Sequence, residues 1–297
     1  MRTGISLQPI SPTDDPARVL RVAREAERLG FDSVYMSGHV LEDPNGTVLD
    51  PLITLAAVAG ATERIRLATS VLILPHYNPV LLANEAASLD VLSAGRFTMA
   101  VGVGWNEEEF AALGVPFKQR GARADEHLEV LRALWSERPT NFEGRFTTLR
   151  ETTLGIEPLT PGGPPIWVCG HSDAALRRAL RFGAAWHGTG ATPEEVREIR
   201  ARIQRIAAEV GRDPASLDLN GIYFVVPPVG EHNGFLHGHL LGGTEPTGES
   251  VAADIEALEG AGLTALNLLI PLTSDTFEMG LAWVASEVLP RLRQTSS

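Results

Sequence analysis

A strand, a helix and a second strand follow one another within residues 67–104, and this order constrains the fold more than any other feature of the chain. Residues 68–74 form an apolar run that ends at Pro75, residues 79–92 have helical spacing, and residues 97–103 form another apolar run. Such alternation is typical of parallel sheets that are covered by helices. Ligands of these folds bind beyond the carboxyl ends of the strands, so the segments after Leu74 and Val103 are the first candidates for a site.

The same alternation extends along the rest of the chain. Eight runs are predicted as strands, at residues 4–10, 33–37, 68–74, 97–103, 166–169, 184–187, 217–226 and 263–270. A predicted helix follows each of them, and eight such units favour a closed (β/α)8 TIM barrel over an open doubly wound sheet. The 297 residues are enough for one barrel, and we predict a single domain over residues 1–297.

Two segments interrupt the alternation. Residues 137–165 contain a predicted hairpin around Gly144 and a stretch rich in Pro and Gly, and we interpret them as an insertion after strand four. Residues 229–249 are rich in Gly and His and are predicted to form a mobile lid or active-site loop. A metal site is the alternative for its three histidines, His232, His237 and His239. No Cys or nearby carboxylate completes a ligand set, so no metal is predicted.

Composition excludes several classes of function. The net charge of −12 argues against a nucleic-acid partner, which would require a basic surface. The single cysteine, Cys169, rules out an internal disulfide framework and fits a reducing cytosol. No apolar run approaches the ~20 residues that span a bilayer, and the first residues lack the apolar region of a signal peptide. We therefore expect a cytoplasmic protein that acts on a small molecule, without a membrane or nucleic-acid partner.

Two predicted strands end in residues that can carry chemistry. His39 follows strand two, where an imidazole can donate to a substrate oxygen or to a flavin-type ring, or relay a proton near neutral pH. The alternative is a buried histidine that bonds to backbone. His76 and Tyr77 follow strand three and could line a pocket, with a surface turn as the alternative.

Two further turns could hold a cofactor. Gly104, Trp105 and Asn106 follow strand four. Gly102 and Gly104 match the first two glycines of the G-x-G-x-x-G dinucleotide loop, but Glu107 occupies the position of the third. The better interpretation is that Gly104 lets the backbone approach a flat ring closely and that Trp105 stacks on this ring. The alternative is a tight turn in which Asn106 caps the next helix. The segment 170–172 opens a helix, where backbone N–H groups can bind a phosphate or form an ordinary cap.

Three long segments resemble the luciferase-like monooxygenase superfamily. They are AREAERLGFDSVYMSGHV at residues 23–40, TSVLILPHYNPVLLANEAASLDVLSAGRFTMAVGVGWNEEEFAALGVPF at residues 69–117, and PPIWVCGHSDAALRRALRFGAAWH at residues 164–187. Together with the intervening chain, the resemblance covers residues 4 to about 210. The chain is more similar to the branch that uses the deazaflavin coenzyme F420 than to long-chain alkane or sulfonate monooxygenases.

The resemblance implies a β/α barrel with the cofactor at its carboxyl face and a cis peptide bond at Ser70–Val71. It places His39 beside the reactive ring carbon, as proton donor or substrate orienter, and Gln8 on the substrate side with His76 and Tyr77. The residues that it implies for cofactor binding are Ser70 and Val71 behind the ring, Gly104, Trp105 and Asn106 beside it, and Gly170, His171, Ser172, Thr189 and Gly190 near the phosphate. One departure is Gly38, where the family commonly has an acidic residue, so His39 is expected to lack its carboxylate partner.

Three functions follow as hypotheses. The first is an F420-dependent oxidoreductase that moves a hydride between the deazaflavin and a small organic substrate. The second is an FMN-dependent two-component monooxygenase, which would require a separate flavin reductase as partner. The third is a degenerate binding protein without cofactor, for which Gly38 is the only indication. Relatives are often dimers through early helices, and the apolar segments 52–59 and 81–89 could form such an interface or simply pack on the barrel.

Overall fold

Eight parallel strands close into a barrel in the computed structural model, which describes residues 1–7, 15, 17–41, 49–231, 236 and 238–294. The barrel strands are β1 (Arg2–Ser6), β2 (Ser33–Met36), β3 (Arg66–Thr69), β5 (Phe97–Gly102), β8 (Ile166–Cys169), β9 (Ala185–Thr189), β10 (Asp218–Val225) and β12 (Ala265–Leu269). Each pairs in parallel with its neighbours, and the pairing of β9 with β10 closes the ring. The predicted TIM barrel is therefore confirmed.

The third predicted strand is divided in two. β3 ends at Thr69, and the short strand β4 (Leu72–Ile73) continues along β5 after the peptide bond between Ser70 and Val71, which is cis as the resemblance implied. The apolar run 68–74, predicted as one strand, thus forms two short strands on either side of this bond.

Ten helices lie in the described part of the chain. They are α1 (Arg18–Leu29), α2 (Pro51–Ala61), α3 (Pro79–Leu92), α4 (Glu107–Ala112), α5 (Arg120–Ser136), α6 (Asp173–Phe182), α7 (Pro193–Val210), α8 (Gly248–Ala261), α9 (Phe277–Trp283) and α10 (Leu289–Gln294). Side chains that accept from backbone N–H groups fix several of their starts: Asp50 caps α2, Asn78 caps α3 and Thr192 caps α7. The apolar faces of the helices pack on the strands in one continuous core, whose burial drives folding.

The predicted insertion forms an antiparallel hairpin of β6 (Thr140–Glu143) and β7 (Thr148–Thr152). Its turn is held by the buried carboxylate of Glu126 on α5, which accepts from the N–H groups of Arg145 and Phe146. Within 229–249, the described residues include the short strand β11 (Leu240–Leu241), which pairs with β10. No helix in the described ranges combines the length and apolar character needed to cross a membrane.

Candidate active site

The carboxyl ends of the strands form an open mouth. Most side chains of the strands are buried, but a set at the ends is partly exposed: Ser70, Val71, Trp167, Cys169, Thr189 and Leu269. Gly102 lies beneath this set, and a Cβ atom there would come 3.0 Å from Cγ2 of Val71. The glycine therefore lets the Ser70–Val71 segment lie close against β5.

His39 lies at this mouth and pairs with a carboxylate that the sequence did not reveal. Its Nδ1 atom is 3.0 Å from Oε2 of Glu109, on α4. The Glu109 side chain is 1% exposed and that of His39 is 17% exposed. Because a carboxylate only accepts hydrogen bonds, Nδ1 of His39 carries a proton.

Glu109 is held as a carboxylate by several donors. Burial by itself would raise its pKa, but hydrogen bonds from the N–H of Val40, from His39 and from the N–H of Leu41 outweigh that effect and leave the pKa below its ordinary value. Its Oε1 atom accepts from Val40 N–H at 2.7 Å and from Leu41 N–H at 3.3 Å. The same carboxylate thus orients the ring of His39 and fixes the backbone that follows it.

The expectation that His39 lacks an acidic partner is therefore wrong. An acid at position 38 would not fit, because a Cβ atom on Gly38 would lie 2.7 Å from the carbonyl oxygen of Val71 and 2.9 Å from Cα of Leu72. The close passage of these two chain segments requires glycine. The carboxylate is instead supplied 70 residues later in the chain, by α4.

The turn after β5 brings its aromatic residue to His39. Trp105 is 68% exposed, and its ring meets the His39 ring edge-on with centroids 5.5 Å apart. Asn106 caps α4 by accepting from the N–H of Glu108 at 3.0 Å, which confirms the capping role considered from the sequence. Gly104 has φ +79°, and a Cβ atom there would meet Ile73 and Phe110. Position 104 therefore requires glycine because of the positive φ of the turn and the close packing of Phe110.

The structure separates the two residues of the loop after strand three. His76 packs edge-on against Phe110 with centroids 4.6 Å apart. Desolvation lowers its pKa, and the charge of Glu109 acts against that shift, which places His76 near the His39–Glu109 pair. Burial raises the pKa of Tyr77, together with the charges of Asp50 and Glu85. The charges acting on Tyr77 thus come from the α2–α3 side of the molecule. A substrate contact for either residue stays a prediction.

The predicted phosphate residues come from two loops that the structure joins. The N–H of Thr189 donates to Nε2 of His171 at 3.1 Å, which ties the end of β9 to the turn before α6. Ser172 caps α6 by accepting from Ala175 N–H at 3.2 Å. Arg202 donates to the carbonyl of His171 and to Asp173, and Arg205 also pairs with Asp173. Both guanidinium groups are engaged by the carboxylate of Asp173, so what this turn offers to a phosphate is the N-terminus of α6.

Next to this turn, an open groove carries acidic groups. It is lined by Gly190, Thr192, Glu195, Gly238, His239 and Asp254. Gly190 is fixed in it because its N–H donates to the carbonyl of Ile222 and its carbonyl accepts from His239 N–H.

The side chain of Cys169 bonds to Thr189, and burial raises the pKa of its thiol to about 11. At neutral pH this thiol is protonated.

Gln8, His232 and His237 lie outside the described residues, so the substrate role of Gln8 stays a prediction. Within the described ranges, no cluster of His, Cys, Asp or Glu is arranged to hold a metal ion. Sequence reasoning missed Glu109, His187 and Asn267. Glu109 is the last of three consecutive glutamates at the start of α4. The sequence of these three residues does not indicate which of them is buried.

The residues present fit a flat ring with a phosphate tail. The mouth offers the Ser70–Val71 segment as a wall and an exposed indole, and the joined loops lie at the N-terminus of α6, where backbone N–H groups favour an anion. These features lie at the carboxyl face of one barrel, where ligands of this fold bind.

The chain belongs to the luciferase-like monooxygenase family, whose profile matches residues 1–228. A Mycobacterium tuberculosis protein described as uncharacterized is 37% identical over 164 residues, which are 55% of this chain and 56% of that protein. The F420-dependent glucose-6-phosphate dehydrogenase of Segniliparus rotundus is 32% identical over 212 residues, 69% of this chain and 63% of that enzyme. The chain thus spans between half and two thirds of the length of these curated relatives.

Solved structures share the architecture over the full chain. An F420-dependent secondary alcohol dehydrogenase, in complex with an F420-acetone adduct, superimposes with a TM-score of 0.83 at 21% identity, covering 98% of this chain and 99% of that one. EDTA monooxygenase from a Chelativorans species gives a TM-score of 0.80 at 19% identity, with 99% and 94% covered. At these identities the likeness shows the fold alone.

Proposed function

We propose that this protein is an F420-dependent oxidoreductase that transfers a hydride between the deazaflavin and a small organic substrate. The observation that carries the proposal is the pair of His39 and Glu109 at the barrel mouth, because a hydride transfer that makes or consumes a carbonyl also needs a proton acceptor or donor. The relative from Segniliparus rotundus, named as F420-dependent, supports the choice of cofactor.

His39 would exchange that proton at Nε2. When a carbinol is oxidised, its hydroxyl proton would pass to Nε2 while its hydride leaves to the cofactor, and the reverse transfers would reduce a carbonyl. The imidazolium that forms would be stabilised by Glu109, whose Oε2 atom accepts from Nδ1 at 3.0 Å. Glu109 acts through His39 and is therefore a positioning residue.

Other residues would bind and shield the ring. Coenzyme F420, when bound, supplies a two-electron hydride carrier at the carboxyl face of the barrel. Ser70 and Val71 would form the wall behind it, and the exposed indole of Trp105 would cover the side of His39 and exclude water. His171, Thr189 and the start of α6 would bind its phosphate.

A cofactor titration tests the proposal. The purified protein is titrated with F420 and with FMN, and the fluorescence of each cofactor reports binding. We expect F420 to bind more than tenfold more tightly, a difference of at least ~1.4 kcal/mol. Tighter binding of FMN, with oxygen consumption that depends on reduced FMN and a separate reductase, would indicate the monooxygenase. Failure of both to bind at micromolar concentration would indicate a binding protein without cofactor.

A further inference from the structure

Three polar side chains meet inside the barrel directly below the mouth. The Oγ atom of Ser70 lies 3.0 Å from Nε2 of His187, on β9, and accepts a hydrogen bond of 2.9 Å from Nδ2 of Asn267, on β12. His187 is fully buried, Asn267 is 1% exposed, and Ser70 is partly exposed at the mouth. Two buried groups therefore hold one hydroxyl that a ligand can reach.

The ring of His187 is fixed and uncharged. It stacks on Tyr35 with an interplanar angle of 11° and packs against Trp167 with centroids 5.5 Å apart. Burial lowers the pKa of His187 to about 3. At neutral pH the ring thus carries one N–H group, on either Nδ1 or Nε2.

The surroundings of Nδ1 decide between the two tautomers. Nδ1 of His187 is buried and has no hydrogen-bond partner among the residues that the structure describes. A proton on Nδ1 would leave a buried donor unsatisfied, whereas a proton on Nε2 reaches Ser70 and leaves only a lone pair at Nδ1. Buried N–H groups without an acceptor are the rarer and costlier case. The proton therefore belongs on Nε2.

This tautomer determines what the Ser70 hydroxyl can do. A hydroxyl oxygen accepts two hydrogen bonds and donates one. His187 and Asn267 occupy both acceptor positions, so the hydroxyl hydrogen can be given to neither of them. Beyond these two bonds, the Ser70 side chain makes no hydrogen bond to any residue in the described ranges. Its proton is left for a ligand at the mouth.

We propose that Ser70 is a dedicated hydrogen-bond donor to an acceptor atom of the bound cofactor ring, a carbonyl oxygen or a ring nitrogen, and that His187 and Asn267 are its positioning residues. This inference rests on the proposed function, because it requires a ring at the mouth. A hydrogen-bond donor differs from a surface that only packs against the ring, because removal of the hydroxyl from such a surface would leave the affinity for the cofactor nearly unchanged.

Nitrogen NMR of the protein without cofactor tests the tautomer directly. With histidine labelled by ¹⁵N, we expect the His187 signals of a neutral ring protonated at Nε2, assigned by their loss in His187→Gln. Signals of the Nδ1–H tautomer would overturn the inference, whatever the protein binds.

Cofactor titrations of matched variants test the donor role. We expect Ser70→Ala to weaken F420 binding about tenfold, the effect of one lost hydrogen bond, and Asn267→Ala and His187→Leu to weaken it in the same direction. His187→Gln keeps an amide donor and should bind more tightly than His187→Leu. Asn220→Ala is the matched control, because Asn220 is equally buried at 1% exposure but bonds to Thr264.

The outcomes separate this inference from the proposed function. Wild-type affinity in Ser70→Ala, with normal binding by the wild-type protein, would overturn the donor role and leave the proposed function intact. Equal losses in Asn220→Ala and Asn267→Ala would show a general effect of barrel packing and would also overturn it. Failure of the wild-type protein to bind either F420 or FMN would overturn both.

Discussion

The carboxylate of Glu109 lies 3.0 Å from Nδ1 of His39, although 70 residues separate them in the chain. The same carboxylate accepts from the N–H groups of Val40 and Leu41, so it fixes both the imidazole and the segment that carries it. Because Glu109 is buried, its charge acts on His39 with less screening than a surface carboxylate would have.

Removal of this charge should slow catalysis more than binding. Glu109→Gln keeps the size of the side chain but replaces one of its two acceptor oxygens by a donating NH2 group, so it no longer stabilises a protonated His39. We expect kcat to fall about a hundredfold, the lower end of the usual range of a general acid–base contribution, with little change in the dissociation constant of the cofactor. Steady-state kinetics and a cofactor titration measure the two quantities.

Glu108→Gln is the control for that variant, because Glu108 is exposed on the same helix and makes no side-chain contact with His39. Its kcat should stay within about twofold of the wild-type value, as is usual for exposed positions. Equal losses in the two variants would contradict a specific role for Glu109.

Position 38 should tolerate no side chain. The Cβ atom of Gly38→Ala would approach the Val71 carbonyl to 2.7 Å, so one of the two chain segments would have to move. We expect a loss of about 1–3 kcal/mol in the free energy of unfolding, measured by urea denaturation. Gly38→Asp should be at least as destabilised, and it should not increase kcat.

Gly260→Ala is the matched substitution, since a Cβ atom there meets nothing within 4 Å. It lies on α8, where alanine is the better helix former, and we expect no loss of stability. A Gly38→Ala variant as stable as Gly260→Ala would show that Gly38 does not exclude the acid for steric reasons.

The buried His187 should make stability depend on pH. Its pKa is lowered to about 3 by burial, against an ordinary value of 6.5. Between these pH values the unfolded chain binds a proton that the folded chain does not. The free energy of unfolding therefore falls as the pH falls from 6.5, by at most about 1.4 kcal/mol per pH unit from this group.

His187→Gln removes that titration. Urea denaturation at pH values between about 4 and 7 should therefore show a smaller loss of stability toward acid in the variant than in the wild-type protein. Asn220→Ala, in the same barrel interior, should keep the wild-type slope even if it lowers stability. An unchanged slope in His187→Gln would mean that the pKa of His187 is not lowered in the folded protein.

We propose that the exposed apolar side chains of α2 and α3 form a homodimer interface. α2 carries no charged residue, and Ile53 and Leu81 are 74% and 57% exposed on these adjacent helices. Clusters of exposed apolar side chains mark association surfaces. We expect a dimer by sedimentation velocity, and a monomer after Ile53→Glu with Leu81→Glu.

Met279→Glu is the control for the interface, because Met279 is 54% exposed on α9, outside both helices. It should leave the association state unchanged. A wild-type protein that sediments as a monomer at micromolar concentration would refute the interface.

Much of the fold was predictable because it depends on local patterns. Alternating apolar runs and helices indicated the eight strands of the barrel, and the hairpin around Gly144 was recognisable from its turn. The Asn106 cap, one of two interpretations of its turn, is confirmed, and a cofactor ring beside Gly104 and Trp105 stays a prediction. The cis peptide bond at Ser70–Val71 was predicted only through the resemblance, and the apolar run, which continues through residues 68–74, did not indicate the division of the third strand.

The positions of His39, Ser70 and the 170–172 turn at one rim follow from strand order, so the sequence by itself determined where the site lies. What surrounds each group was decided only by the tertiary structure. Glu109 reaches His39, and His187 and Asn267 reach Ser70, because closure of the barrel brings together strand ends that are far apart in the chain. Hydrophobic periodicity indicates the type of one helix or strand at a time, and it does not show which residues contact each other across the barrel.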